Sequence, residues 1–159
     1  MADRIKHERA LQVYNTVCAA LDAREWKYDR NDTDLIVRFG VCTKDLPVHY
    51  VIIVDEDRQM LRLASPMGFK MHPTKRTEGA IITTVATRYL RDGDFDYDIQ
   101  TGSIAFRLTS SFRGCVVGKG LVDYFIDWTD AAVDHFNDKF AAVNDGTMSV
   151  SEFITGERT

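Results

Sequence analysis

The chain has 159 residues, of which 45% are hydrophobic and 28% charged, and its net charge is −4 at pH 7. This length predicts one domain over residues 1–159, and this composition excludes a disordered or fibrous protein. The negative charge and the lack of any densely basic stretch in the sequence argue against nucleic acid as a partner.

The first residues and the cysteines indicate the cellular compartment. Residues 1–10 carry charges of both signs without an apolar run behind them, which argues against a signal peptide or a membrane span. Cys18, Cys42 and Cys115 are odd in number and widely spaced, which favours reduced thiols over disulfides. We therefore expect a cytoplasmic protein that does not enter membranes.

Hydrophobic periodicity in the first part of the chain predicts a helix followed by three strands. Apolar residues first recur every three or four positions, as on the buried face of an amphipathic helix. The period then changes to two, a nearly continuous apolar run follows, and an acidic turn leads into another alternating run. The predicted elements are a helix over residues 5–25 and strands over 35–41, 48–54 and 59–63.

A second helix is predicted after an irregular connection. Pro66 and Gly68 interrupt residues 64–73, because both residue types punctuate regular structure. Over residues 74–91 the apolar positions return to helical spacing, and we expect them on the buried face. They are Ile81, Ile82, Val85 and Tyr89.

The next segment shows the clearest hairpin in the sequence. Phe95, Tyr97 and Ile99 alternate with aspartates, and after a tight turn at Gly102 the alternation resumes up to Leu108. The aspartates therefore form the solvent face of a strand, where they could contact a basic partner segment.

A long last helix and a short tail complete the chain. A wide apolar stripe predicts a helix from Leu121 to about Gly146, and Ser149 with Glu152 has capping-box spacing for one more helical turn. We predict an α+β fold in the order α-β-β-β-α-β-β-α, with an antiparallel sheet packed against helices. Residues 145–159 are interpreted as an appended tail.

Residues 88–107, RYLRDGDFDYDIQTGSIAFR, followed by Gly114 and an aromatic last helix, resemble the YbjN-like family of bacterial proteins. The matching pattern is a G-x-F-x-Y-D-I strand, a tight turn with glycine and an I-x-F-R strand. The resemblance implies the type III secretion chaperone-like fold, a unit that binds polypeptide segments, is often dimeric and has no known catalytic residues. Some relatives are labelled sensory transduction regulators.

The segment from Gly114 to Gly120 lies between a strand and a helix, where a phosphate-binding loop would lie. Its glycine spacing is one residue shorter than that of a Walker A loop, and Gly120 replaces the hydroxyl residue that binds magnesium. A nucleotide-sensing regulator with a site in this loop is therefore an alternative, as is a small enzyme that uses a cysteine or an aspartate cluster.

No pattern in the sequence predicts a cofactor or a metal ion. Residues 144–152 copy the second half of a calcium-binding loop, but a helix stop at Gly146 and a new cap at Ser149 explain the same residues. The four histidines lack the spacing of metal ligands. We predict no catalytic, cofactor-binding or metal-binding residues.

A group of flexible apolar side chains surrounds the Pro66-Gly68 irregularity. Methionine suits surfaces that adapt to several partners, although the same residues could instead cover the sheet edge as part of the core. The predicted partner-binding residues are Met60, Met67, Phe69 and Met71. We therefore expect a non-enzymatic, chaperone-like or adaptor-like protein that binds a protein or peptide partner, with a homodimer as one expected state.

Overall fold

The computed structural model describes residues 1–42 and 47–158, where the chain forms four α-helices and six strands. The helices are α1 (Ala2–Ala23), α2 (Arg76–Tyr89), α3 (Lys119–Asp145) and α4 (Val150–Glu157). The strands are β1 (Asp29–Asn31), β2 (Ile36–Cys42), β3 (Pro47–Asp55), β4 (Met60–Lys70), β5 (Asp94–Asp98) and β6 (Ser103–Ser111).

The six strands form one antiparallel sheet in the order β1-β2-β3-β4-β6-β5, which confirms the predicted α+β class. The prediction omitted β1, because its three polar residues show no apolar alternation.

The predicted tail contains α4, which has the expected capping box: the Ser149 side chain accepts from the Glu152 amide, and the Glu152 side chain accepts from the Ser149 amide.

The predicted irregular connection over residues 64–73 is wrong for most of its length, because β4 continues to Lys70. Ala64 opposite Val51 is the last residue of β4 that is paired with β3. Pro66 comes two residues later, where a residue without an amide hydrogen is tolerated in a strand. Residues 64–70, which were predicted to be irregular, therefore form the second half of β4.

The described chain forms two compact units, each presented here by itself. Unit 1 comprises residues 1–64 and 108–128. In it, α1 packs against β3, and Phe39 of β2 stacks on Tyr50 of β3 with ring centroids 4.6 Å apart. The apolar residues predicted on the inner faces of α1 and β2 are largely buried. The helical period and the strand period therefore both predicted the buried faces correctly.

Unit 2 comprises residues 65–107 and 129–159, and a cluster of phenylalanine rings forms its core. Phe95 of β5 lies edge-on to Phe136 and Phe140 of α3, with centroids 5.3 and 5.0 Å away. Phe153 of α4 stacks on Phe140. The prediction of a single domain over residues 1–159 stays a prediction.

The buried face of α2 agrees with the predicted one at Ile82 and differs from it at Ile81 and Tyr89. Gly79, Ile82, Thr83 and Ala86 are buried, whereas the side chains of Ile81 and Tyr89 are 41% and 43% exposed. The close contact with β5 requires a glycine at position 79, because a Cβ atom there would lie 2.5 Å from the hydroxyl of Tyr97. Close approach of α2 to β5 thus favours small residues on this face over the larger apolar ones.

Candidate functional site

An open groove runs along the surface of unit 2 between α2 and the edge strand β5. It combines threonines of the helix with aromatic, aliphatic and acidic side chains of the strand and the turn that follows it. We term it the α2–β5 groove, and its lining consists of Ala80, Thr83, Thr84, Thr87, Asp94, Phe95, Tyr97 and Ile99.

The groove follows the backbone edge of β5 that does not face β6. The Phe95 amide donates to the hydroxyl of Thr87 at 3.0 Å and therefore points away from β6. Because alternate residues of a strand direct their amides to the same side, the Tyr97 amide and carbonyl are also directed at this edge. Thr87 thus covers the first part of the edge, and the part near Tyr97 and Ile99 adjoins the groove.

The groove walls are mainly apolar or already hydrogen-bonded. Thr83 and Thr84 donate their hydroxyl protons to helix carbonyls, at 2.7 Å to Gly79 and 2.8 Å to Ala80. Ile99, predicted on the strand face opposite the aspartates, is 53% exposed. The lining therefore offers apolar contact and backbone hydrogen bonding to an extended chain.

The two titratable side chains of the lining are held in structural interactions. The Tyr97 phenol donates to the Arg76 carbonyl at 2.8 Å, and burial raises the pKa of Tyr97. Asp94 accepts two hydrogen bonds from the Arg107 guanidinium, at 2.9 and 3.1 Å. The raised pKa keeps the Tyr97 phenol protonated near neutral pH, and the Asp94 carboxylate is occupied by Arg107, so both side chains serve the structure of the groove wall.

The alternating aspartates lie on the more exposed side of β5, as predicted. Arg107 of β6 bridges Asp94 and Asp96, which neutralises part of this face. Asp98 accepts from the Thr101 hydroxyl and the Gln100 amide, and these hydrogen bonds lower the pKa of Asp98. The aspartates therefore contribute to the hairpin itself, which limits their excess charge.

The four predicted partner-binding residues fall in different environments. Met60 belongs to unit 1, where it is half-buried opposite Asp55. Met67 and Phe69 are both half-buried and lie two residues apart in β4, in unit 2. Met71 is 1% exposed, and its amide donates to the Gly102 carbonyl at 2.9 Å. The structure therefore places Met67 and Phe69 together and encloses Met71 in the core of unit 2.

The glycine-rich segment before α3 does not present a free cation. The Lys119 ammonium donates to the Asp123 carboxylate at 2.7 Å, one helical turn further on. In the remainder of the segment, Val116 is 80% exposed and Val117 is buried. This arrangement resembles an exposed connection more than a loop that closes around phosphate groups.

The calcium-loop-like segment and the cysteines have the following surroundings in the structure. Gly146 has a φ of 82° and ends α3, and Ser149 caps α4, so residues 144–152 form a helix–turn–helix connection. All three cysteines are free thiols, and burial raises the pKa of Cys18, which makes it a poor nucleophile at neutral pH. Across residues 1–42 and 47–158, no three His, Cys, Asp or Glu side chains converge to hold a metal ion.

The groove could not be recognised from sequence, because Ile81, Tyr89 and Ile99 all fit the apolar periods of their elements. One signal was present in the sequence. The threonines at positions 83, 84 and 87 occupy one face of a helix where strong helix formers would be expected, since β-branched residues are neutral to unfavourable there. All three threonines line the groove, and Thr83 is at the same time packed inside unit 2 at 2% exposure.

Several solved structures share this fold, and three of them are described here. YbjN from E. coli superposes with a TM-score of 0.60 at 10% sequence identity, over 81% of this chain and 89% of its own. One chain each of the ExsC–ExsE complex and of the HopA1–SchA chaperone–effector complex gives a TM-score of 0.59 at 10% identity. These matches cover 81% of this chain and 93% and 95% of theirs.

No protein-family model and no curated protein matches the sequence. None of the helices within the described residues is long and apolar enough to cross a membrane. At 10% identity the structural likeness establishes the fold alone, and it confirms the predicted YbjN-like, type III secretion chaperone-like architecture.

Proposed function

We propose that this protein is a non-enzymatic adaptor or chaperone that binds an extended segment of a partner protein in the α2–β5 groove. The observation that carries the proposal is the edge of β5. An amide and a carbonyl at Tyr97 are directed at a groove whose other wall is the threonine face of α2. An added strand would gain main-chain hydrogen bonds from β5, and its side chains would contact α2.

The structural neighbours support this class of function. One of them is a chain of a chaperone–effector complex, so this fold occurs in a protein that is bound to another polypeptide. The exposed Ile99 at the end of β5 provides an apolar contact for a partner side chain. Met67 and Phe69 of β4 remain proposed contributors as a second, half-buried apolar pair in the same unit.

The test is affinity capture from a lysate of the cells that make the protein, with a variant that blocks the groove. Thr84→Lys adds a long charged side chain to an exposed position of the groove wall, and Ala131→Lys adds the same side chain to an exposed position of α3. Both variants should fold, because surface substitutions usually change stability by no more than about 0.5 kcal/mol.

We expect the wild type and Ala131→Lys to retain the same partner and Thr84→Lys to lose it. Phe69→Ser, as a further bait, tests whether the β4 pair contributes. A partner that Thr84→Lys still binds would contradict the position of the site. Baits that are folded yet all lack a partner would contradict an adaptor role.

A further inference from the structure

The edge strand β5 carries different chemistry on its two faces. Successive side chains of a strand point to opposite faces of the sheet, so the residues that line the α2–β5 groove alternate with aspartates. Phe95 and Tyr97 are on the groove side, and Asp96 and Asp98 are exposed on the other side. A strand added at this edge would therefore contact both kinds of surface, through alternate side chains.

The aspartate face of β5 holds more negative charge than the neighbouring strand balances. Among the three residues of β6 that pair with the aspartates, Arg107 opposite Asp94 is the one charged side chain. It also reaches Asp96, at 3.3 Å, yet the Asp96 side chain remains 56% exposed. Hydrogen bonds within the turn lower the pKa of Asp98, and the charge of Arg76 adds a smaller effect, so Asp98 stays ionised. Two carboxylates thus face any side chain that lies beyond the edge.

The helix wall of the groove suits apolar side chains. Ala80 is half-buried and Thr84 is exposed, and the Thr84 hydroxyl donates to the Ala80 carbonyl at 2.8 Å. The Tyr97 phenol donates to the Arg76 carbonyl, so the ring contributes its apolar surface to the groove. A partner side chain beside Tyr97 would contact methyl groups and an aromatic ring, which favours valine, isoleucine or a similar β-branched residue.

Thr87 determines where main-chain pairing with a partner begins. Its hydroxyl accepts from the Phe95 amide at 3.0 Å, so the first outward amide of β5 is already hydrogen-bonded. The next outward groups belong to Tyr97. A partner residue beside Tyr97 has its two sequence neighbours beside Asp96 and Asp98, and the side chains of those neighbours lie on the aspartate face.

From these positions we infer that the α2–β5 groove binds a partner segment in which basic residues alternate with β-branched apolar ones, in the order basic–apolar–basic. The two basic side chains contact Asp96 and Asp98, and the apolar side chain between them lies beside Tyr97, against α2. The net charge of −4 favours the approach of such a segment. The inference rests on the proposed function and adds the chemistry of the partner to it.

The test measures the binding of dye-labelled peptides to the full-length chain by fluorescence anisotropy. The lysine peptide is Gly-Val-Lys-Val-Lys-Val-Gly, which has the same sequence in both directions and therefore suits either strand polarity. A threonine peptide, with both lysines replaced, should bind about threefold to tenfold more weakly, because opposite charges across neighbouring strands stabilise their pairing. A scrambled peptide, Gly-Lys-Lys-Val-Val-Val-Gly, keeps the composition and charge but not the alternation, and it should also bind more weakly than the lysine peptide.

A variant of the aspartate face tests the contact from the side of the protein. Asp96→Asn should weaken binding of the lysine peptide about twofold to fivefold and leave binding of the threonine peptide unchanged. Asp134→Asn removes an exposed charge of α3, and as the matched control it should bind both peptides like the wild type. Circular dichroism checks that the variants are folded, and the three peptides test the inference on the wild type if Asp96→Asn is not.

The outcomes separate this inference from the proposed function. Equal binding of the lysine peptide and the scrambled or threonine peptide would overturn the inference, as would a wild type that binds none of them. If Thr84→Lys abolishes binding of lysine and threonine peptides that the wild type binds equally, the groove binds extended segments without a charge preference, and only the inference fails. If Thr84→Lys still binds the lysine peptide like the wild type, the groove is not the site, and both fail.

Discussion

The two units use their helices in different ways. In unit 1, the inner face of α1 is completely enclosed, and the residues that form it are 5% exposed or less. In unit 2, α2 leaves Ile81 and Tyr89 more than 40% exposed and turns its threonines to a groove beside an open strand edge. A helix whose apolar face is fully covered contributes stability, whereas one with exposed apolar residues beside an edge strand offers a binding surface.

The largest effect should come from the enclosed interior of unit 1. Phe39 is 7% exposed and stacks on Tyr50, so Phe39→Ala should lower the free energy of unfolding by roughly 3–5 kcal/mol in urea denaturation. Ile36→Ala in the same strand is the matched control, and it should cost clearly less because Ile36 is only half-buried. Equal losses for the two variants would show that the interior of unit 1 is less enclosed than we infer.

A smaller but specific effect should come from the turn that supports the groove in unit 2. Gly102 has a φ of 78°, and a Cβ atom there would lie 2.4 Å from the Met71 carbonyl oxygen. Gly102→Ala should therefore lower the free energy of unfolding by roughly 2–4 kcal/mol, because backbone strain and a clash add.

The variant Gly114→Ala separates the cost of backbone strain from the cost of the clash. Gly114 also has a positive φ, of 66°, but nothing lies within 4 Å of its added Cβ atom. This variant should cost only about 1–2 kcal/mol, the strain alone. If Gly102→Ala were no worse than Gly114→Ala in thermal or urea unfolding, the turn would be free to move, and the groove in unit 2 would lack the rigid base that we infer.

Sequence periodicity predicted the elements of both units better than it predicted their surfaces. In unit 1, Tyr14 and Val37 lie at apolar positions of the helix predicted over residues 5–25 and the strand predicted over 35–41, and both are buried because the apolar face of each element is covered. In unit 2, Ile81 and Ile99 fit their periods equally well and remain exposed. A period shows which residues share a face, but the chain elsewhere determines whether anything covers that face.

The candidate sites could not be recognised from the sequence either, because contacts between distant parts of the chain determine which residues are covered. Met71 was predicted to bind a partner, yet it is buried because Gly79 and Gly102 allow close approach of its side chain and its backbone. That contact joins residues far apart in sequence and leaves no local signal. In contrast, the capping box at Ser149 and Glu152 was predicted correctly, since all of its hydrogen bonds are made within four residues.

The smallest effect concerns the acid sensitivity of unit 2. Burial alone would raise the pKa of Glu157, but hydrogen bonds from Lys139 and His135 outweigh it, so the pKa lies below its ordinary value of 4.5. A carboxyl with a lowered pKa in the folded state stabilises the fold above pH 4.5, and this contribution is lost as the pH falls through the lowered value.

Wild type and Glu157→Gln should therefore differ in melting temperature at pH 6, with the wild type higher, and the difference should shrink on acidification to pH 3. The comparison between variants is needed because Asp32, Asp55 and Asp98 also have a lowered pKa and destabilise both proteins in acid. Amide exchange locates the effect: loss of protection confined to α4 at low pH would tie it to the Glu157 contact. An unchanged difference between pH 6 and pH 3 would show that the ion pairs of Glu157 do not hold α4 in place.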